Sequence, residues 1–360
     1  MGISFGVGGV RYLSHMNPRE NTHEPVLIVG AGPIGLACAI SARRRGIDPL
    51  VIDAGAVVNS IVHYPTGMMF FTSPERLEIG NHPIVCAGAK PTREEAMMYY
   101  RGIARAEELR VRTFTRLGVA ERVAGRIRCA LETGTGREEL TCDRLVLATG
   151  YFDRPNRLDV SGEDLPHVHH YFDEAHLGWG LDVVVVGGKN SAVESALQLY
   201  RAGARVTLVY RGTVLKPSVK YWLRPDLENR IKAGEIQTRL GATVLSIEPG
   251  AMTIRTADGV TERLAADRIY ALIGFTPEFE LFRSMGIELD RVTERPALDP
   301  ETLETNVPGI YMAGSIVAGR AISEVFIENG RYDGEKIFGD SAARRHAAEL
   351  YEGTPRPIGE

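Results

Sequence analysis

Two glycine-rich turns have the spacing that lets a protein backbone hold a pyrophosphate. The first is Gly30-Ala31-Gly32-Pro33-Ile34-Gly35, and the second is Gly187-Gly188-Lys189-Asn190-Ser191-Ala192. In the first turn Gly30 permits the tight bend, Gly32 lets the backbone approach the phosphates, and Gly35 lets helix and strand pack closely. The pyrophosphate then lies at a helix N-terminus, where free N–H groups and the dipole favour negative charge. Both turns therefore predict dinucleotide binding.

The residues that follow each turn predict which dinucleotide binds there. Asp53 stands 18 residues beyond Gly35. A carboxylate at that place accepts hydrogen bonds from both ribose hydroxyls and repels a 2′-phosphate, so the first unit favours FAD or NAD over NADP. The second unit has Tyr210-Arg211 and then Lys216 instead of an acid. A guanidinium binds a 2′-phosphate through bidentate hydrogen bonds while its face stacks on adenine, so this unit favours NADPH.

The elements that position these turns recur in the same order: strand, glycine turn, helix, strand. They are predicted at 25–29, 30–35, 36–45 and 49–53 in the first unit, and at 181–186, 187–192, 193–201 and 204–210 in the second. Each unit closes with a strand that ends in glycine, at 143–150 and 267–274. This duplication predicts an α/β protein with two Rossmann-like, three-layer dinucleotide-binding domains.

The domain boundaries follow from the short remainder of the chain. A strand at 306–315 and a helix from about residue 323 are too little for a third domain, so we expect them to return to the first. The FAD-binding domain is then predicted at 24–155 and 280–345, with the NADPH-binding domain, 156–279, inserted into it. Residues 1–23 lack a clear period and are predicted to be a mobile extension, and 346–360 a C-terminal tail.

Composition excludes several classes of function. The chain has 360 residues, 44% hydrophobic and 24% charged, with a net charge of −4, which argues against a nucleic-acid surface. The longest apolar runs are too short to span a bilayer, and no signal peptide is evident, so we expect a cytoplasmic protein with no membrane partner. The four cysteines form no C-x-x-C pair, and the histidines at 167, 169, 170 and 176 match no metal-ligand spacing, so no metal is predicted.

With these residues in place, the chain resembles the thioredoxin-reductase-like flavoproteins, and among them the bacillithiol-disulfide reductase group, over residues 25–340. Its most specific stretches are Tyr64-Pro65-Thr66, Phe70-Phe71-Thr72-Ser73, Lys90-Pro91, Ala148-Thr149-Gly150-Tyr151, His170-Tyr171-Phe172, the second glycine turn, Tyr210-Arg211-Gly212, Ile273-Gly274 and Ile327-Glu328-Asn329-Gly330.

The resemblance implies FAD in the first unit, NADPH in the second, and a homodimer or higher homo-oligomer. It implies FAD contacts from the first turn and from Asp53, Tyr64, Thr66, Val119, Ala148, Thr149, Gly150, Gly314, Ser315 and Ile322. It implies NADPH contacts from Gly187, Gly188, Lys189, Asn190, Ser191, Tyr210, Arg211, Lys216, Ile273 and Gly274. Ser315 departs from the family, which usually has an aspartate there.

Two further departures concern thiols. Thioredoxin reductases carry C-x-x-C before the second turn, where this chain has His170-Tyr171-Phe172-Asp173, so direct reduction of thioredoxin through a dithiol is excluded. The bacillithiol group tends to carry a cysteine inside the first turn, where this chain has Ile34. Cys38 lies one helical turn further along the same face. Cys38, and His170 or Glu174 as proton donors, are the candidate catalytic side chains.

Three functions remain open. The leading hypothesis is hydride transfer from NADPH to flavin and on to a small acceptor, such as a low-molecular-weight disulfide, with the cofactor carrying the chemistry. The second is a flavin monooxygenase, although residues 160–167 only approximate the motif expected between the fingerprints. The third is electron transfer to a small protein such as ferredoxin, or a non-enzymatic redox sensor.

Overall fold

The computed structural model describes residues 22–354, which form three β-sheets and the helices packed on them. The strands are β1 (Thr22–Val29), β2 (Leu50–Ile52), β3 (Arg110–Arg112), β4 (Thr115–Val123), β5 (Arg126–Thr133), β6 (Gly136–Leu147), β7 (Val168–His169), β8 (Asp182–Val186), β9 (Arg205–Tyr210), β10 (Ile236–Leu240), β11 (Thr243–Glu248), β12 (Ala251–Arg255), β13 (Thr261–Ala265), β14 (Arg268–Ala271) and β15 (Ile310–Met312). The helices are α1 (Pro33–Arg43), α2 (Asn59–Val62), α3 (Arg93–Ala106), α4 (Asn190–Arg201), α5 (Arg224–Lys232), α6 (Phe279–Ser284), α7 (Ile327–Gly330), α8 (Asp333–Phe338) and α9 (Ser341–Glu352).

The first unit is built on a seven-stranded sheet in the order β3-β2-β1-β6-β5-β4, with β15 also paired to β6. Strands β1, β2, β3, β6 and β15 run parallel, and β4 and β5 extend the sheet as an antiparallel hairpin. Val26 to Val29 are all buried because the sheet is covered on both faces. Ile28 packs on the side of α1 and α3, and Leu27 packs on the side of β4, β5 and α6.

The second unit repeats this architecture on a parallel sheet in the order β10-β9-β8-β14-β7. Successive valines of β8 point to opposite faces of this sheet. Val183 and Val185 pack against α4, and Val184 and Val186 pack against the antiparallel sheet β11-β12-β13. The predicted α/β fold with two Rossmann-like, three-layer units is thereby confirmed.

The last part of the chain returns to the first sheet. Ile310 of β15 pairs with Leu145 of β6, and α6 contributes Phe279 and Phe282 to the core beneath the same sheet. Helix α8 packs on α1 through Gly334, where a Cβ would approach the Cα of Cys38 to 2.8 Å. The sheet pairing thus brings residues 310–312 beside the first glycine turn.

Several element boundaries differ from the predicted ones. Helix α1 begins at Pro33, not residue 36, because proline at the first helical position needs no N–H partner. The single helix predicted from about residue 323 is three helices, and α9 continues past 345, where the tail was expected to start. Thr22 and His23 already pair with β6, while residues 1–21 of the predicted extension and 355–360 lie outside the described residues. None of the helices within 22–354 combines the length and apolar character of a bilayer span.

Candidate functional site

A cavity of about 870 Å³ is lined by residues of both glycine turns. Its walls come from both units and from the returning segment 313–328. The predicted site residues among them are Gly30, Gly32, Pro33, Ile34, Asp53, Tyr64, Ala148, Thr149, Gly150, Lys189, Asn190, Ser191, Gly314 and Ser315. The structure therefore brings most of the predicted flavin contacts and the second turn to one space.

The first glycine turn is shaped by contacts that only glycine allows. Gly30 has a φ of +114°, and a Cβ there would lie 2.2 Å from the carbonyl oxygen of Ala148. A Cβ on Gly35 would lie 1.8 Å from the carbonyl oxygen of Gly30, so α1 packs directly on the turn. Gly32 has no atom within 4 Å of its Cβ position. That open side, at the N-terminus of α1, fits a pyrophosphate.

Asp53 is held in place by the backbone of the first turn. Its Oδ2 accepts a hydrogen bond from the Ala31 N–H over 2.7 Å, and its Oδ1 accepts one from the Gly55 N–H over 2.8 Å. Burial raises the pKa of this carboxyl, and the two backbone hydrogen bonds oppose that shift. The remaining lone pairs of a carboxylate fixed in this way can accept from ribose hydroxyls.

A smaller cavity of about 70 Å³ lies beside Asp53, lined in part by Arg116 and Leu117 of β4. The predicted contact Val119 lies two residues further along that strand, is 54% exposed, and lines neither cavity. Thr66 and Ile322 also lie outside both linings. Sequence reasoning missed Leu117 because strand β4 has a bulge between Leu117 and Val119, which no local motif marks.

An orphaned polar atom supports a bound nucleotide in the main cavity. The hydroxyl oxygen of Thr149 is buried and has no hydrogen-bond partner among residues 22–354. Beside it, Gly150 has a φ of +65° and open space where a Cβ would be. Buried hydroxyls are normally hydrogen-bonded, so this wall fits a ligand with polar groups, as a dinucleotide has.

The part of the cavity wall around Gly314 is held by an aspartate from α8. The Gly314 N–H donates to the Asp333 carboxylate over 2.7 Å, holding Gly314 at a φ of +78°. Burial raises the pKa of Asp333 to about 6, although the Gly314 hydrogen bond opposes the shift. Ser315, in place of the family aspartate, is buried and lines the cavity. The Asp333 carboxylate therefore lies near this turn, but it accepts a hydrogen bond from the backbone and does not line the cavity.

The thiol candidates do not reach the cavity. All four cysteines lie within the described residues, and none lines it. Cys38 is fully buried, and its pKa is raised well above the usual value by burial and by the nearby carboxylates of Asp333 and Glu335. Ile34 does line the cavity, and its side chain fills the space left by Gly314 and Gly330.

The two proton-donor candidates also lie elsewhere. His170 Nε2 is 3.8 Å from a Glu163 carboxylate oxygen, and burial together with the charge of Arg157 lowers its pKa. Glu174 accepts a hydrogen bond from the His176 N–H at the start of a short 3₁₀ turn. Neither residue lines a described cavity. Within residues 22–354 no cluster of His, Cys, Asp and Glu side chains could hold a metal ion.

The second turn joins the cavity through Lys189, Asn190 and Ser191. The Asn190 side chain donates to the Ser218 carbonyl over 3.2 Å and accepts from the Lys220 N–H over 2.8 Å, so it ties the turn to the loop that carries Trp222. The remaining predicted contacts, Gly187, Gly188, Tyr210, Arg211, Lys216, Ile273 and Gly274, lie outside the cavity lining. Of these, Arg211 and Lys216 are exposed and form no ion pair or side-chain hydrogen bond within 22–354.

Aromatic side chains connect the two units around the cavity. Phe152 stacks on Phe275 with ring centroids 4.2 Å apart, at the two points where the chain crosses between the units. On the other side, Phe71 of the first unit contacts Trp222 of the second, with centroids 6.0 Å apart. Phe71, Thr72, Arg76, Lys90 and Trp222 all line the cavity, although no motif had marked them as ligand contacts.

The chain is similar to known proteins over most of its length. The family model described as pyridine nucleotide-disulphide oxidoreductase matches residues 27–314. The bacilliredoxin reductase Bdr of Bacillus subtilis (strain 168) is 41% identical over 323 residues, 90% of this chain and 99% of that protein. The bacillithiol disulfide reductase Bdr from Bacillus cereus superposes with a TM-score of 0.85 at 40% identity, over 91% of this chain and 100% of that one. Its counterpart from Staphylococcus aureus gives 0.82 at 36% identity, over 91% and 99%.

Proposed function

The chain belongs to the pyridine nucleotide-disulphide oxidoreductase family, and on this premise we propose that it passes hydride from NADPH through FAD to a low-molecular-weight disulfide. It is a flavoprotein oxidoreductase that uses a pyridine nucleotide. The finer assignment rests on one observation above all: turns suited to two dinucleotides open onto the same cavity.

FAD is assigned to the first unit on the residues around its turn. Gly32 leaves the α1 N-terminus open to a pyrophosphate, Asp53 offers a fixed carboxylate to a ribose, and Thr149 has a buried hydroxyl without a protein partner. The bound flavin supplies the acceptance of hydride and its onward delivery. Residues 24–155 and 280–345 would form this domain, and 156–279 the nucleotide domain.

NADPH is assigned to the second unit on charge. Arg211 and Lys216 follow strand β9 as exposed cations without partners in the described chain. A 2′-phosphate would provide the charge-assisted hydrogen bonds that they lack. Lys189 and Asn190, on the cavity side of α4, would orient the nicotinamide half toward the first unit.

The acceptor is assigned from the relatives and from the absence of a cavity thiol. The relatives are named for bacilliredoxin and for bacillithiol disulfide. In this chain no cysteine lines the cavity, so the side chains there can bind and orient an acceptor but cannot form a mixed disulfide with it. Overall, NADPH and one proton reduce one disulfide: the S–S bond breaks, two S–H bonds form, and NADP⁺ leaves.

The experiment that tests the assignment of cofactors follows flavin absorbance in a stopped-flow instrument. We expect NADPH to reduce the purified yellow protein much faster than NADH does, because only NADPH carries the phosphate that Arg211 and Lys216 would bind. Equal rates with both coenzymes would contradict the assignment. Parallel acceptor assays with disulfides, quinones, ferredoxin and oxygen separate the disulfide proposal from electron transfer to a protein and from oxygen chemistry.

Self-association and location belong to the same proposal. The family resemblance implies a homodimer or higher homo-oligomer, and the composition of the sequence favours a location in the cytoplasm. Light scattering on the purified holoprotein would give the mass of the particle, and a monomer at micromolar concentration would contradict the first of these two points.

A further inference from the structure

Two cations on the first-unit wall of the cavity form no close ion pair within the described residues. Arg76 is the last residue of a short 3₁₀ turn, Pro74–Arg76. Lys90 lies two residues before Thr92, the N-cap of α3. Both line the cavity, both are partly buried, and neither forms an ion pair or side-chain hydrogen bond within residues 22–354. Partly buried cations are normally paired, so this wall has unused binding capacity for negative charge.

Basic residues close to Arg76 and Lys90 in the sequence or in space do have partners. Arg93, three residues beyond Lys90, pairs with Glu94 at 2.8 Å and also donates to the carbonyl oxygens of Ile61 and Val62. Arg331, beside Arg76, donates to the carbonyl oxygens of Glu75 and Glu78. The unpaired state of Arg76 and Lys90 is therefore not a general feature of this surface.

The backbone that carries the two cations is anchored on both sides. The Arg331 guanidinium holds the segment around Arg76, and the Tyr100 hydroxyl donates to the Leu77 carbonyl over 2.8 Å. Near Lys90, the Phe70 N–H donates to the Pro91 carbonyl over 2.9 Å. Because the backbone is fixed, ordering the side chains on a ligand carries a smaller entropic penalty than it would on a mobile loop.

The two glycine turns do not account for these cations. Phosphates would lie at the N-termini of α1 and α4 and beside Arg211, whereas Arg76 and Lys90 come from the segment 68–92, which contains neither fingerprint. The acids in the same cavity are otherwise engaged. Asp53 binds the first turn, and Asp153 accepts from the Asn59 amide over 3.1 Å. Glu328 is hydrogen-bonded with Thr72. Burial raises the pKa of Glu328, and the charge of Arg76 opposes that shift, although the two side chains do not come within ion-pair distance.

We propose that Arg76 and Lys90 form a subsite for carboxylate groups of the electron acceptor. This rests on the proposed function and names the class of substrate: a disulfide that carries carboxylates. Since Ile34 stands where a thiol could capture the acceptor covalently, the acceptor must be retained by non-covalent contacts while its S–S bond is reduced. Charge-assisted hydrogen bonds from a guanidinium and an ammonium are the strong contacts available on this wall.

The test compares two aromatic disulfides, dithiobis(nitrobenzoate), which is a dicarboxylate, and dithiodipyridine, which is neutral. The readout is the ratio of their kcat/KM values with NADPH as donor. We expect Arg76→Gln and Lys90→Gln each to lower the ratio about tenfold, mainly through KM for the dicarboxylate, because each removes a charge-assisted contact. Matched controls are Arg291→Gln and Lys232→Gln, exposed cations that are also unpaired in the described chain and lie outside the cavity.

A binding measurement supplies a readout that does not depend on turnover. Thiodipropionate is a thioether dicarboxylate that cannot be reduced, and calorimetry should show it bound to the holoprotein and weakened in both cavity variants. An unchanged ratio together with unchanged thiodipropionate binding would overturn the subsite and leave the proposed function standing. Loss of flavin from Arg76→Gln would assign this residue to the flavin site and also overturn the subsite. If the unaltered protein reduced neither disulfide, the proposed function itself would fail.

Discussion

At the scale of single residues, we propose that Arg211 determines the choice of coenzyme. Replacing it by glutamine removes a charge-assisted hydrogen bond to the 2′-phosphate, and because the side chain is exposed we expect KM for NADPH to rise roughly tenfold. KM for NADH should change little, since NADH has no phosphate at that position. Steady-state kinetics with both coenzymes measures this, with Arg291→Gln as the control. A parallel rise for NADH would mean that Arg211 does not contact the 2′-phosphate.

Ile34 occupies the position in the first glycine turn where the bacillithiol-disulfide reductase group tends to carry a cysteine. It lines the cavity at the N-terminus of α1, where a thiol would have its pKa lowered and would face the acceptor. We expect Ile34→Cys to increase disulfide turnover severalfold. Ile34→Val also removes volume beside Gly314 and Gly330 but adds no thiol, so it should give no such gain. Equal turnover in the cysteine and valine variants would show that a thiol at this position is not useful.

The site residues that could be predicted from the sequence are those whose role follows from a nearby motif and its spacing. Asp53 follows from the distance to its fingerprint, and the structure brings it to the turn. Leu117 and Arg76 have no such pattern: Leu117 reaches the small cavity beside Asp53 next to a β-bulge, and Arg76 reaches the main cavity on a loop that Arg331 holds. Cys38 shares a helical face with Ile34, but that face turns from the cavity into the core within one turn.

At the scale of elements, we propose that the contact between α1 and the first turn is the one that retains the flavin. A Cβ at Gly35 would overlap the Gly30 carbonyl, so Gly35→Ala must displace α1 from the phosphate position. We expect purified Gly35→Ala protein to lose its flavin and melt at a lower temperature. Gly102→Ala in α3 meets nothing within 4 Å and should stabilise the protein by about 0.5–1 kcal/mol. Full flavin content in Gly35→Ala would be incompatible with this packing.

Strand positions were predictable from apolar runs because parallel strands are buried on both faces. Asp182–Val186 and Ile310–Met312 fall inside their predicted ranges for this reason. Helix ends were less predictable. The glycines at 330 and 339 divide the C-terminal region into α7, α8 and α9, and their effect depends on packing against Ile34 and Arg45, which lie far away in sequence.

At the scale of the whole molecule, the cavity exists only because the two units meet. Phe71 and Trp222 contact each other across it, and no sequence pattern relates two loops about 150 positions apart. We therefore expect the fluorescence of Trp222 to report whether the cavity is occupied. With Trp179 replaced by phenylalanine, we expect NADP⁺ to change the emission of Trp222, because nucleotide alters its exposure at the cavity wall. Trp222→Phe, which keeps only Trp179 outside the cavity, should show no change. A response confined to Trp179 would contradict this arrangement of the units.

A single turnover without oxygen tests most directly whether electrons that enter from NADPH leave to a low-molecular-weight disulfide. The holoprotein is reduced with one equivalent of NADPH and then mixed with bacillithiol disulfide, with ferredoxin or with buffer, while flavin absorbance is followed. We expect the disulfide to restore the oxidised flavin rapidly and to yield two thiols for each NADPH. Flavin that stays reduced with the disulfide but is reoxidised by ferredoxin or by added oxygen would contradict this expectation.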